Sequence, residues 1–170
     1  MEEFNTLEKV KSLFDEQNCN GNTNCYFICY RDTTKDGMKY GALGAVGGAL
    51  GAVASFSQGA LDAMEKSDGY LFNWTEEGIG IIPLNYKGVM LTVNPSKMEA
   101  QKDSYIFINN EDIDNILVKN FNIFNSKVKK IKITFKDGKT KMELMANVKE
   151  KLIPYQEENF SKFVEKFFKK

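Results

Sequence analysis

Three kinds of residue in this chain have the chemistry to act on another molecule or to hold one: thiols, paired carboxylates and a dense set of lysines. Cys19, Cys25 and Cys29 are spaced C-x5-C and C-x3-C, and the chain has no histidine. Zinc sites are built from C-x-x-C pairs or from Cys/His sets, so no metal is expected. Without histidine, no Ser-His, Cys-His or H-E-x-x-H arrangement can form. Cys25 and Cys29 lie in "CYFICYR", which reads as a strand, and four strand residues span roughly 13 Å, too far for a disulfide. The expectation is buried free thiols in a reducing, cytoplasmic setting, since "MEEFNTLEKV" lacks the basic and apolar regions of a secretory signal. Glu76–Glu77 and Glu111–Asp112 are carboxylate pairs, but both fall at predicted hairpin turns and read as solvated turn residues. Trp74 alternates with Tyr70 and Phe72 on one strand face, which favours core packing over a base-stacking platform. No catalytic residue, cofactor or enzyme activity is expected.

The lysines are the first feature that outlasts this elimination. Residues 127–141 hold seven lysines and one acid. Lys130, Lys132, Lys136, Lys139 and Lys141 are predicted on one face of a hairpin, with Ile131, Ile133, Phe135, Met142, Leu144 and Ala146 on the other. A wet sheet face looks like this, and so does a patch attracted to an anionic surface. The whole chain has zero net charge, with 8 basic against 13 acidic residues in 1–100 and 15 against 10 in 101–170. Bulk capture of nucleic acid requires a far more basic domain, so a nucleic-acid partner is not expected.

The second feature is "GALGAVGGALGAVASFSQGAL", 21 uncharged residues from Gly41 to Leu61. Its glycines do not make G-x-G-x-x-G, and no Gly-Lys-Ser/Thr directly follows them, so it is not a nucleotide loop. The repeat "GALGAVG"/"GALGAVA" spaces Leu43, Val46, Leu50 and Val53 along one helical seam, with Phe56 beyond it. Gly44, Gly47, Gly48 and Gly51 form G-x-x-x-G pairs that permit close helix packing. In water such a helix requires a packing partner, because each glycine costs about 1 kcal/mol against alanine. Packing on the rest of the domain, contact with lipid and self-association all remain open.

Around these features the chain reads as one domain, residues 1–170. A helix is predicted over 4–17 from Leu7, Val10 and Phe14, then a first strand at 25–31 and the Gly/Ala-rich helical insertion at 38–66. Short strands fill 69–147, among them "YLFNWT", "GIGIIPLN", "SYIFI" and "IDNILVKNF", with a weaker candidate in "YKGVMLTV". "NPSKMEAQKD" reads as a polar connection. Asp137-Gly138 marks a tight hairpin. A last helix over 154–168 carries Phe160, Phe163, Val164, Phe167 and Phe168 as an apolar stripe that must be buried.

This order resembles the pleckstrin-homology-like superfold, in particular its bacterial and GRAM-like members. "INNEDIDNILVKN", with Asp112 before Ile113, "IKITFKDGKTKMELM" and "NFSKFVEKFF" carry the resemblance, which covers 25–31 and 69–168. It implies a mainly β (α+β) fold: a bent, partly open antiparallel barrel of about seven strands, capped by the C-terminal helix. In that family the loop between the first two strands lies at a lipid-facing rim. Arg31, Lys35 and Lys39 precede the insertion here, but the family's basic motif is not otherwise matched, so no phosphoinositide specificity carries over. The resemblance implies a non-catalytic adaptor at a membrane surface, cytoplasmic or peripheral. The alternative is a soluble protein-interaction module, a homo-oligomer joined through the Gly/Ala segment.

Overall fold

The computed structural model describes residues 3–31, 63–64, 66–67, 69–86, 93–137 and 141–168. Helix α1 spans Leu7–Asp15. Its start is fixed by the Thr6 hydroxyl, which accepts from the Lys9 N–H at 3.4 Å. Its end is sealed by Asn18, in the left-handed region at φ 53. Behind that residue the Cys19 N–H donates to Phe14 at 2.9 Å and the Asn18 N–H to Asp15 at 3.0 Å. The turn-forming run after the helix therefore does what its composition predicts.

The strands are β1 (Cys25–Arg31), β2 (Gly69–Trp74), β3 (Gly78–Tyr86), β4 (Met98–Ala100), β5 (Ile106–Asn109), β6 (Ile113–Asn122), β7 (Asn125–Phe135) and β8 (Lys141–Asn147). Helix α2 spans Gln156–Phe167. The sheet is antiparallel and not closed, in the order β4-β3-β2-β1-β8-β7-β6, with β5 also on β3. The fold is thus mainly β with a helix at each end. The described residues form eight strands rather than about seven, because the polar connection contains β4, which pairs with the end of β3. The weaker candidate strand at 86–93 lies largely outside the described residues, as does the turn at 138–140.

Pro83 sits inside β3 without harm for a local reason. β5 pairs with Gly78–Ile81 and β4 with Leu84–Tyr86. The missing N–H falls in the gap between the two partners, and the Pro83 carbonyl accepts from Gln101 there at 2.8 Å.

Two apolar clusters hold the sheet. The inner one joins Phe27, Tyr70, Phe72, Trp74, Ile131, Ile133, Leu144 and others to Phe160 and Phe163 of α2. Phe27 lies 4.8 Å from Phe160 and 5.0 Å from Phe163, centroid to centroid, the tilted spacing favoured by aromatic quadrupoles. The predicted stripe is therefore buried at Phe160 and Phe163, with Val164, Phe167 and Phe168 packed at its margin. The outer cluster sets Phe4, Val10, Leu13 and Phe14 against Tyr26, Ile28, Leu71 and Ile82. Thus β1 to β3 are covered on both faces, by α2 inside and α1 outside. Gly80 lets α1 and the turn behind it approach this closely: a Cβ there would lie 3.1 Å from the Phe14 ring and 2.4 Å from the Cys19 Sγ.

The sheet has one weak seam. β1 pairs with β2 along six residues but with β8 only at Tyr30 and Arg31. Where β8 is missing, α2 substitutes for it. The Gln156 side chain accepts from the Ile28 N–H at 2.8 Å and donates to the Ile28 carbonyl at 3.0 Å. It also donates to the Asn147 carbonyl at 2.8 Å, at the end of β8. Asn159 accepts from the Tyr26 N–H at 3.3 Å. Both amides are buried. Together they complete the ladder where no strand is present.

Candidate anionic-surface interface

Of the predicted lysines, Lys141 lies on β8, Lys136 just beyond β7, and Lys130 and Lys132 within the β6–β7 hairpin. The hairpin's alternation is driven by Ile116, Val118, Ile131, Ile133 and Phe135, all buried, so the residues between them take the opposite face. Lys130, Lys132, Lys136 and Lys141 lie on that opposite face or at its exposed end, as the spacing predicts; Lys139 is outside the described residues. The structure adds Lys119, the direct cross-strand partner of Lys130. Like charges placed opposite each other disfavour a strand pair. The Lys130 ammonium rests 4.9 Å from the centre of the Phe121 ring. Lys129 is different: it sits at the inner rim, donating to Asn120 at 2.6 Å and lying over the Phe168 ring. Glu143 of β8, across from Lys132, offsets part of this charge. Within the hairpin itself no acid occurs from Asn115 to Lys136.

Register links this face to the root of the Gly/Ala insertion. Tyr30 pairs with Met145, Met145 with Lys130, and Lys130 with Lys119. The chain leaves β1 just beyond this row and returns to it at Gly69, the partner of Tyr30. Before it returns, Met64 is buried in the inner cluster and its carbonyl accepts from the Tyr70 hydroxyl at 2.8 Å. Leu43, Val46, Leu50, Val53, Phe56 and the glycines 44, 47, 48 and 51 lie outside the described residues. Among the described residues no helix is long and apolar enough to cross a membrane.

Neither family profiles, nor curated proteins, nor solved structures match this chain. Its function must be read from its own geometry.

The remaining candidate chemistry resolves into structure. All three cysteines are buried and free, and burial pushes their thiols above the ordinary range. Such thiols are poor nucleophiles. Glu76 is an exposed turn residue, as predicted. Its carboxylate accepts from the Thr23 N–H at 2.6 Å, which ties the β2–β3 turn to the segment before β1; the Thr23 side chain first, then backbone N–H groups, lower its pKa. Trp74 is core, edge-on to Phe167 at 5.6 Å. Among the described residues no group of three His, Cys, Asp or Glu side chains converges.

One surface feature escapes sequence reasoning. Ile123 and Phe124, the two turn residues between β6 and β7, are 91% and 94% exposed. The signal was present in "NFNIFN", two large apolar residues framed by asparagines between two strands. Asn122 and Asn125 pair across the turn. The Asn122 side chain accepts from the Phe124 N–H at 2.9 Å and the Asn125 side chain from the Lys127 N–H at 3.1 Å.

Proposed function

We propose that this chain is a non-catalytic, pleckstrin-homology-like adaptor that works at an anionic membrane surface. The fold reading is supported by a first strand lying between the second strand and the last, and by a C-terminal helix whose Phe160 and Phe163 fill the inner face. The membrane reading rests on one observation. Lys119, Lys130 and Lys132 stand in adjoining register on a hairpin that has no acid from Asn115 to Lys136. Protection of a sheet edge accounts for Lys119 on the terminal strand β6, but not for Lys130 and Lys132 on β7, which has a strand on both sides. An anionic counter-surface turns the repulsion between these lysines into attraction, about 1 kcal/mol for each near charged lipid. The Gly/Ala insertion, rooted on the same row, supplies the second contact of the adaptor, to lipid or to a protein.

Co-sedimentation with phosphatidylserine–phosphatidylcholine vesicles tests this reading. Binding at low salt that fades at high salt is expected. The combined reversals Lys119→Glu, Lys130→Glu, Lys132→Glu and Lys141→Glu should abolish it while the thermal midpoint moves little. Equal binding to neutral vesicles, or binding unaffected by the reversals, overturns the proposal.

A further inference from the structure

The two most exposed large apolar side chains described in the molecule share one turn, and that turn ends a basic hairpin. Water gives no reason for this. A folded chain exposes single apolar residues freely, but Ile123 and Phe124 are adjacent and almost wholly exposed. Both occupy the most protruding point of the pairing, beyond Asn122 and Asn125.

We infer that Ile123 and Phe124 form a wedge that enters the interfacial layer of an anionic bilayer. The inference rests on the membrane reading above and deepens it by naming the segment that penetrates. Two observations favour lipid over another protein surface or a second copy of the chain.

The first is charge. Moving back from the tip, the next charged residues are Lys119 on one strand and Lys127, Lys129 and Lys130 on the other. A second copy would bring the same lysines together and repel, whereas lipid headgroups meet them with opposite charge. Their long apolar stems also allow the ammonium groups to stay at headgroup level while the tip goes deeper.

The second is backbone satisfaction. Entry into an apolar layer is costly for any N–H without a partner. Here Asn122 and Asn125 hold the Phe124 and Lys127 N–H groups within the turn itself. The tip therefore leaves water without abandoning those two donors. A two-residue wedge reaches only the boundary between headgroups and acyl chains, the depth at which interfacial apolar side chains bind.

The test uses the full chain and vesicles of phosphatidylserine and phosphatidylcholine. Ile123→Ser with Phe124→Ser should preserve the thermal midpoint, because both side chains are exposed. It should lower vesicle partition by roughly tenfold for each side chain removed, leaving weaker binding that salt abolishes completely. In a second variant, Phe124→Trp, emission should shift to the blue on vesicles and be quenched by lipids brominated at the upper acyl chain. Trp74, 6% exposed, supplies a constant background. Three results overturn the wedge. In the first, the double serine variant partitions like the parent, or the emission of the Phe124→Trp variant stays unchanged on bound vesicles; the lysine-based membrane reading then survives alone. In the second, the parent forms a dimer that the serine variant loses, which makes the tip a contact between copies. In the third, the parent binds no anionic vesicle at low salt, and both readings fall together.

Discussion

Replacing Gln156 should damage this protein more than its place in a surface-capping helix suggests. The side chain is fully buried and makes three hydrogen bonds to main chain: one from the Ile28 N–H and one each to the Ile28 and Asn147 carbonyls. Both groups of Ile28 point away from β2 and have no strand beside them. Gln156→Ala strands one buried donor and one buried acceptor at Ile28, and a part-buried acceptor at Asn147. An unsatisfied buried polar group costs about 1–3 kcal/mol, with carbonyls at the lower end. The expected loss is about 3–5 kcal/mol, a large share of the roughly 5–15 kcal/mol that holds a typical domain together. Urea unfolding followed by Trp74 fluorescence would measure it. Gln156→Glu adds a sign test. A carboxylate still accepts from Ile28 but cannot donate to either carbonyl, so the fold favours the protonated acid and raises its pKa above the unfolded value of roughly 4.3. In that window the native state binds more protons, and stability must fall as pH rises. The reasoning is refuted by a loss under about 1 kcal/mol for Gln156→Ala, or by a Gln156→Glu stability that does not decline between about pH 4 and pH 7.

Two further predictions follow from burial. Gly80→Ala should cost about 1–3 kcal/mol, the penalty of overpacking, because its Cβ would collide with the Cys19 Sγ at 2.4 Å. Adding Cys19→Ala should recover part of that loss, and urea midpoints of the four species of this cycle would show the coupling. Burial raises the thiols of Cys19, Cys25 and Cys29 and the phenols of Tyr26, Tyr30 and Tyr155. The native state therefore retains protons that the unfolded chain releases, and stability should fall above roughly pH 8.5 and more steeply above roughly pH 10. Urea midpoints across that range check the slope; a flat profile means the thiols are not held in the core.

Most of the architecture was legible because periodicity was strong where one face is buried. The β7–β8 alternation and the phenylalanine stripe of α2 each had enough repeats to fix their direction. Strand β4 was hidden because three residues, Met98, Glu99 and Ala100, are too few to establish an alternation. Gln156 and Asn159 were hidden for a different reason. In a helix pattern a polar residue reads as outward, yet these two lie inward because their partners are backbone groups of a strand far away in sequence. At the site, the outward lysines were found from spacing. Ile123 and Phe124 were missed because two turn residues have no period, and an apolar pair is noticed only once the turn is seen to be exposed.

The seam at β1 also governs how the chain is made. Ile28 and Gln156 are 128 residues apart, so a ribosome delivers the first strand long before the helix that completes it. Until then β1 carries backbone groups without their final partners, next to a nearly continuous apolar run. Such an edge recruits other strands. The nascent chain is therefore open to misassociation at β1 until α2 has been made, and closure of that edge waits on this helix. Contacts this distant also slow folding, because the entropy of closing the long loop between β1 and α2 is lost before those contacts reward it.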